Sequence, residues 1–190
     1  MALASRSTYH HGALRPALIA AARDMLSNDG PGAVSLREAA RRVGVSATAT
    51  YRHFLDKEHL LAAVAAEGFA EFAVMLKAGG VRDFSGMGVA YLEFAIAQPG
   101  LFRLMFGPVL KEREKYPELA DAADSAFAVL LSGAKRFVGD NDADVETIAY
   151  AAWSCSHGLA RLVIDDVIPA EQAFKISRAA RPQSRLAVTP

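Results

Sequence analysis

Between residues 13 and 179 apolar side chains return three or four positions apart in run after run, and most runs close on glycine or proline. Leu14, Leu18, Ile19, Ala22, Met25 and Leu26 predict a first helix from Ala13 to Asn28, stopped by Gly30-Pro31-Gly32. Ser35, with Glu38 three residues on, reads as a capping box opening a second helix that reaches about Arg42. Val43-Gly44-Val45 makes a tight turn, and Ser46 caps a short third helix, Ala47 to Phe54. Asp56 caps a fourth, whose apolar positions are Leu60, Leu61, Val64, Phe69, Phe72, Met75 and Leu76 and whose end is Gly79-Gly80. Further helices fall near 84–97, 99–107, 117–138, 142–166 and 169–179. The pattern holds no strand, repeat or low-complexity tract, so the predicted fold is all-α with about nine helices.

Composition agrees and narrows the function. Hydrophobic residues make up 52% and charged residues 22%, a globular balance. The single cysteine, Cys155, leaves no internal disulfide and no all-cysteine metal site, and fits a reducing cytoplasm. Without a signal-peptide pattern or an apolar run near the roughly 18 residues of a membrane span, a cytoplasmic protein with no membrane partner is expected. The formal net charge is zero but unevenly spread. Residues 1–60 hold eight Lys and Arg against five Asp and Glu, whereas 61–190 hold thirteen against sixteen. A basic N-terminal piece on an acidic body suits a chain that meets phosphate at one end.

Ala40 and Gly44 suggest how. Two helices that cross steeply at a short turn come close together, which asks for a small residue late in the first and a glycine able to take positive φ in the turn. In the next helix Phe54 must face inward, with Thr50 on the same stripe. The opposite face then offers Ala47, Thr48, Tyr51 and Arg52. Small residues at the N-terminal end let a helix seat against base edges in the major groove, where the methyl groups of Ala47 and Thr48 suit thymine. Arg52 reaches guanine or phosphate. Tyr51, Lys57 and the helix starts at Ser35 and Ser46 suit phosphate, and His53 completes the candidate DNA-binding set. Each residue taken singly is equally well a solvated helix face; the joint placement carries the reading.

The stretch from Val34 to Leu61, with Gly44-Val45-Ser46, Tyr51-x-His53-Phe54 and Lys57-Glu58-x-Leu60, resembles the DNA-binding domain of the TetR family of regulators. Thr50 departs from that pattern, which has a large aliphatic residue before the tyrosine. His10 to Arg15, Tyr91 to Phe106 and Trp153-Ser-Cys-Ser-His-Gly158 are similar to a branch with a Trp-His-Gly C-terminal domain. The resemblance implies a domain at 10–58 that binds a double-stranded, pseudo-palindromic operator. A ligand-binding and dimerisation domain follows at 59–180, and 1–9 and 181–190 are tails. It also implies a homodimer built through the last two long helices, a repressor released by a small apolar or aromatic effector, and no cofactor.

An aromatic and methionine cluster at helical spacing is usually core, and it is also what lines an adaptable apolar cavity. The resemblance places a cavity among these helices. Met87, Tyr91, Phe94, Phe102, Met105, Phe106, Trp153 and His157 are therefore the candidate ligand-binding residues, in a pocket with no obvious buried charge. A catalytic reading fails. Cys155 and His157 are two apart on a helix and point away from each other, and no nucleophile elbow or phosphate loop is present. Asp140, Asp142 and Asp144 lack the glycine and closing glutamate of a calcium loop and read as helix-capping acids. The alternative to a regulator is a helical scaffold without sequence-specific DNA binding.

Overall fold

The computed structural model describes residues 13–81, 83–139 and 144–179. His10, His11, Asp140, Asp142 and the two expected tails lie outside these. Two units are distinguished, residues 1–64 and 65–190. The described residues form nine α-helices and two short 3-10 turns, at Pro108–Leu110 and Arg113–Lys115, and contain no strand.

In the first unit, α1 (Leu14–Asp29) ends where Gly30 takes φ 77°. Then α2 (Leu36–Val43) begins at Ser35, whose hydroxyl oxygen accepts from the Glu38 amide at 3.1 Å. Glu38 does not complete the capping box. Its carboxylate turns outward to Arg41 at 2.7 Å and Arg42 at 3.0 Å. These hydrogen bonds hold the Glu38 carboxyl down at about 2, below its ordinary 4.5. α3 (Ala47–Thr50) is half the predicted length: past Thr50 the amides of Arg52 and His53 bond three residues back, so the chain tightens into a turn. Leu18, Ile19, Met25, Leu26, Leu36, Ala39, Ala40 and Phe54 are the core of this unit. Val43 and Val45 are only half-buried.

One unbroken helix, α4 (Lys57–Gly79), contributes its first turns to this unit and its remainder to the next. Asp56 caps it, accepting the His59 amide at 2.9 Å. By length and mean hydropathy, 1.5, α4 is sufficient to cross a membrane, which corrects the expectation that no stretch comes near that limit. Its apolarity has another cause: 56% of that window is buried inside the protein, so it is apolar on several faces because several faces are packed.

The second unit adds α5 (Ser85–Ala97), α6 (Pro99–Phe106), α7 (Pro117–Val138), α8 (Val145–Ile164) and α9 (Ala170–Ala179). α5 is the central member, packed against α6, α8 and α9, and α7 lies on α8. Phe94, Phe102, Leu92, Leu101, Leu104 and Met105 are fully buried around it. The end of α4 meets the start of α5 so closely that a Cβ on Gly79 would stand 2.5 Å from the Gly86 carbonyl oxygen. Asp144 caps α8, accepting from the amides of Glu146 and Thr147.

Candidate nucleic-acid interface and ligand cavity

The turn between α2 and α3 is rigid for backbone reasons. Gly44 sits at φ 78°, ψ 28°, in the left-handed region, and closes α2 with its amide on the Ala40 carbonyl. Val45 donates to the same carbonyl at 3.0 Å. Ser46 then starts α3 in extended conformation and accepts from the Ala49 amide at 3.3 Å. Thr50 is fully buried; its hydroxyl donates to the Ala47 carbonyl at 2.7 Å, so it places a methyl in the core without orphaning a polar group. Phe54 lies beneath, with the Arg15 guanidinium 5.5 Å from its ring centre.

Above this frame Ser46, Thr48, Tyr51 and Arg52 are exposed, while Ser35, Ala47 and His53 are half-buried. Tyr51 is 58% accessible, far more than a phenol ring of the core keeps. Lys57 departs from its expected role. Its Nζ donates to the Gly32 carbonyl at 3.2 Å, tying the α1–α2 loop to the start of α4, and only its remaining donors are available to a phosphate.

A cavity of about 380 Å³ opens in the second unit. Its walls come from α4 (Phe69, Phe72, Leu76), α5 (Met87, Tyr91), α6 (Phe106), α7 (Phe127, Leu130) and α8 (Tyr150, Trp153, Leu159). The rings interlock edge to face: Phe72 meets Tyr91 at 4.9 Å and Phe69 meets Phe106 at 5.3 Å. At the centre the Trp153 indole donates to the Tyr91 hydroxyl at 3.1 Å, and that hydroxyl stands 2.9 Å from His157 Nδ1. The Tyr91 oxygen accepts from Trp153, and the bond it shares with His157 Nδ1 takes its direction from the imidazole tautomer. Burial, then the nearby Arg161 charge, lowers the His157 pKa, and burial raises that of Tyr91, so the phenol keeps its proton.

Residues 18–64 match the model of bacterial regulatory proteins of the tetR family, and residues 84–177 match that of the tetracyclin repressor-like C-terminal domain. The chain belongs to the TetR family of transcriptional regulators. No curated protein shows significant sequence similarity to it. Among solved structures it is similar to a protein of unknown function from Rhodococcus sp. RHA1, at 28% identity over 92% of this chain and 96% of that one, TM-score 0.78. A TetR transcriptional regulator from Rhodococcus sp. RHA1 shares the fold at 16% identity, covering 95% and 100% of the two chains, TM-score 0.64. So does a regulatory protein of the tetR family from Rhodococcus RHA1, at 22% identity over 88% and 98%, TM-score 0.58. The family is one of DNA-binding regulators, not enzymes.

In this TetR-family chain the candidate ligand set divides. Met87, Tyr91, Phe106 and Trp153 line the cavity. Phe94, Phe102 and Met105 do not, which corrects their assignment as lining residues: they are wholly enclosed, on faces of α5 and α6 turned into the core. His157 also stands behind the wall, holding Tyr91. Helical spacing marks which residues are apolar but not which side of a buried helix meets empty space. Phe69, Phe72 and Leu76 also line it and stand outside the candidate set, although their i, i+3, i+7 spacing on α4 is a usable signal. The expectation of no obvious buried charge is also corrected, since the half-buried Arg113 lines the pocket, and exposed Asp124 lines it too. Among the described residues no metal-binding cluster occurs. Cys155, His157 and Asp165 do not converge: His157 serves Tyr91, and Asp165 accepts from Arg103 at 3.3 Å and Arg161 at 3.0 Å.

Proposed function

We propose that this protein is a repressor that binds a pseudo-palindromic operator as a homodimer and leaves it when a small apolar or aromatic molecule fills the cavity. The observation that carries the proposal is the exposed set Ser46, Thr48, Tyr51 and Arg52 on a turn fixed from below by Gly44, Thr50 and Phe54. A short capped helix with small residues first and a cation after them suits a major groove. Ala47, Thr48 and Arg52 read bases, and Ser35, Ser46, Tyr51, His53 and Lys57 seat the backbone.

A partner subunit packs on α7 and α8. Phe137, Tyr150 and Leu162 stand exposed there, and a Cβ on Gly158 would meet no other atom of this chain within 4 Å. The ligand acts through α4, because Phe69, Phe72 and Leu76 on the cavity wall belong to the helix that begins at Lys57. Release follows only when the ligand prefers the conformation that does not fit DNA.

The test is a mobility-shift titration of the DNA upstream of this gene and of its neighbour, with unrelated DNA as competitor and at several salt concentrations. A specific complex whose affinity falls steeply with salt supports the reading. Equal binding to every fragment, or none, leaves a helical scaffold.

A further inference from the structure

One charged group in the cavity forms no ion pair. Arg113, in the 3-10 turn between α6 and α7, is half-buried among the aromatic walls. Its guanidinium is fixed at two points: Nη2 donates to the Met105 carbonyl at 2.6 Å, and the group lies 5.1 Å from the centre of the Phe69 ring. A guanidinium carries five N–H donors in a planar fork, so this anchoring leaves most of them unused. No carboxylate of the described residues lies within 4.0 Å of it. Asp124 lines the same cavity and is felt by Arg113 electrostatically, but it stands exposed at the wall and forms no ion pair.

We infer that the effector is an organic anion, a carboxylate on an aromatic or branched apolar body, with its carboxylate on Arg113 and its body against Phe69, Phe72, Phe106 and Trp153. This deepens the cavity reading given above and rests on it. A partly desolvated cation held in place gains more from a bidentate carboxylate than from a neutral group. A cationic ligand would meet the like charge of Arg113 at the same wall. The cavity's size falls in the range that encloses small organic ligands.

Trp153 is the only tryptophan of the chain and lines the cavity, so its fluorescence reports occupancy directly. The full-length protein is titrated with 4-phenylbutyrate and with its neutral counterpart 4-phenylbutan-1-ol. The carboxylate should bind about tenfold tighter or more, the scale of a charge-assisted hydrogen bond over a neutral one. Arg113→Gln should abolish that preference and leave the alcohol's affinity in place, and Arg113→Lys should keep part of it. Asp124→Asn, a change at an exposed position, should tighten carboxylate binding by about threefold and tests the charge argument even if Arg113→Gln does not fold. If the alcohol binds as tightly as the acid, or the preference survives in Arg113→Gln, the anion inference is overturned and the cavity reading stands. If neither compound changes Trp153 emission, the cavity reading itself fails, and the anion inference with it.

Discussion

Around Ser46 the working side chains stand in solvent and the backbone beneath them is fixed by hydrogen bonds. Around Tyr91 the working side chains are fixed by one another, and the backbone only carries them. In the first region Gly44, Val45 and Ser46 each make a defined backbone or capping bond, so a four-residue helix can be held at one angle while Thr48, Tyr51 and Arg52 stay unencumbered. In the second, a chain of hydrogen bonds from Trp153 through Tyr91 to His157 and a lattice of rings define a space that a ligand must compete for. A surface that reads a rigid polymer benefits from a frame that does not yield. A cavity that answers to a small molecule needs walls that can repack, which aromatic rings and methionine provide.

Several substitutions can break or sharpen this contrast. The largest effect should come from Phe54→Ala, which empties the core under the reading head and costs about 3–5 kcal/mol. Calorimetry should then show the head unfolding first while Trp153 emission stays native; simultaneous loss of both would mean that the two regions are one cooperative unit. Tyr91→Phe removes the hydroxyl that two partners share, at a cost of about 1–3 kcal/mol in urea unfolding followed by Trp153, and it should leave DNA affinity without ligand unchanged. Gly44→Ala forces a side chain into the left-handed region, for about 1–2 kcal/mol, and should weaken operator binding without moving Trp153 emission. Ser46→Ala loses a cap worth about 1 kcal/mol, visible as a smaller drop of the same kind.

The smallest effect is one of pH. His157 is held below its ordinary value of 6.5, so as pH falls the unfolded chain takes up that proton before the folded one does. Stability contributed by neutral His157 is therefore complete above about 6.5 and is lost as pH drops towards the folded value. Melting temperature should slope downward on the acid side, and His157→Gln should flatten that slope; an unchanged slope would place its cause elsewhere.

The two regions also differ in how far the sequence discloses them. Ser35, Gly44, Ser46, Thr50 and Asp56 act on partners within five residues, so residue types at fixed spacing suffice to place caps, turn and inward face. The failures there are also local: α3 ends at Thr50 because the next amides bond three residues back, and Glu38 prefers Arg41 and Arg42 to its cap. Around the cavity the partners are far apart in sequence, 66 residues for Tyr91 and His157. Phe94 and Phe106 are both phenylalanines on apolar helices, and only packing decides that one is core and the other wall. Arg113 was invisible for the same reason, since a basic residue in a connecting turn reads as a solvated charge.

The central claim is that the segment from Ser46 to Arg52 is doubled by a twofold partner and set into successive major grooves. Hydroxyl-radical footprinting of the operator tests it most directly. The account predicts two protected patches on one face of the duplex, centred about 34–36 Å apart, both lost together in Gly44→Ala at a protein concentration that saturates the wild type. A single patch, or protection unaffected by that substitution, would contradict it.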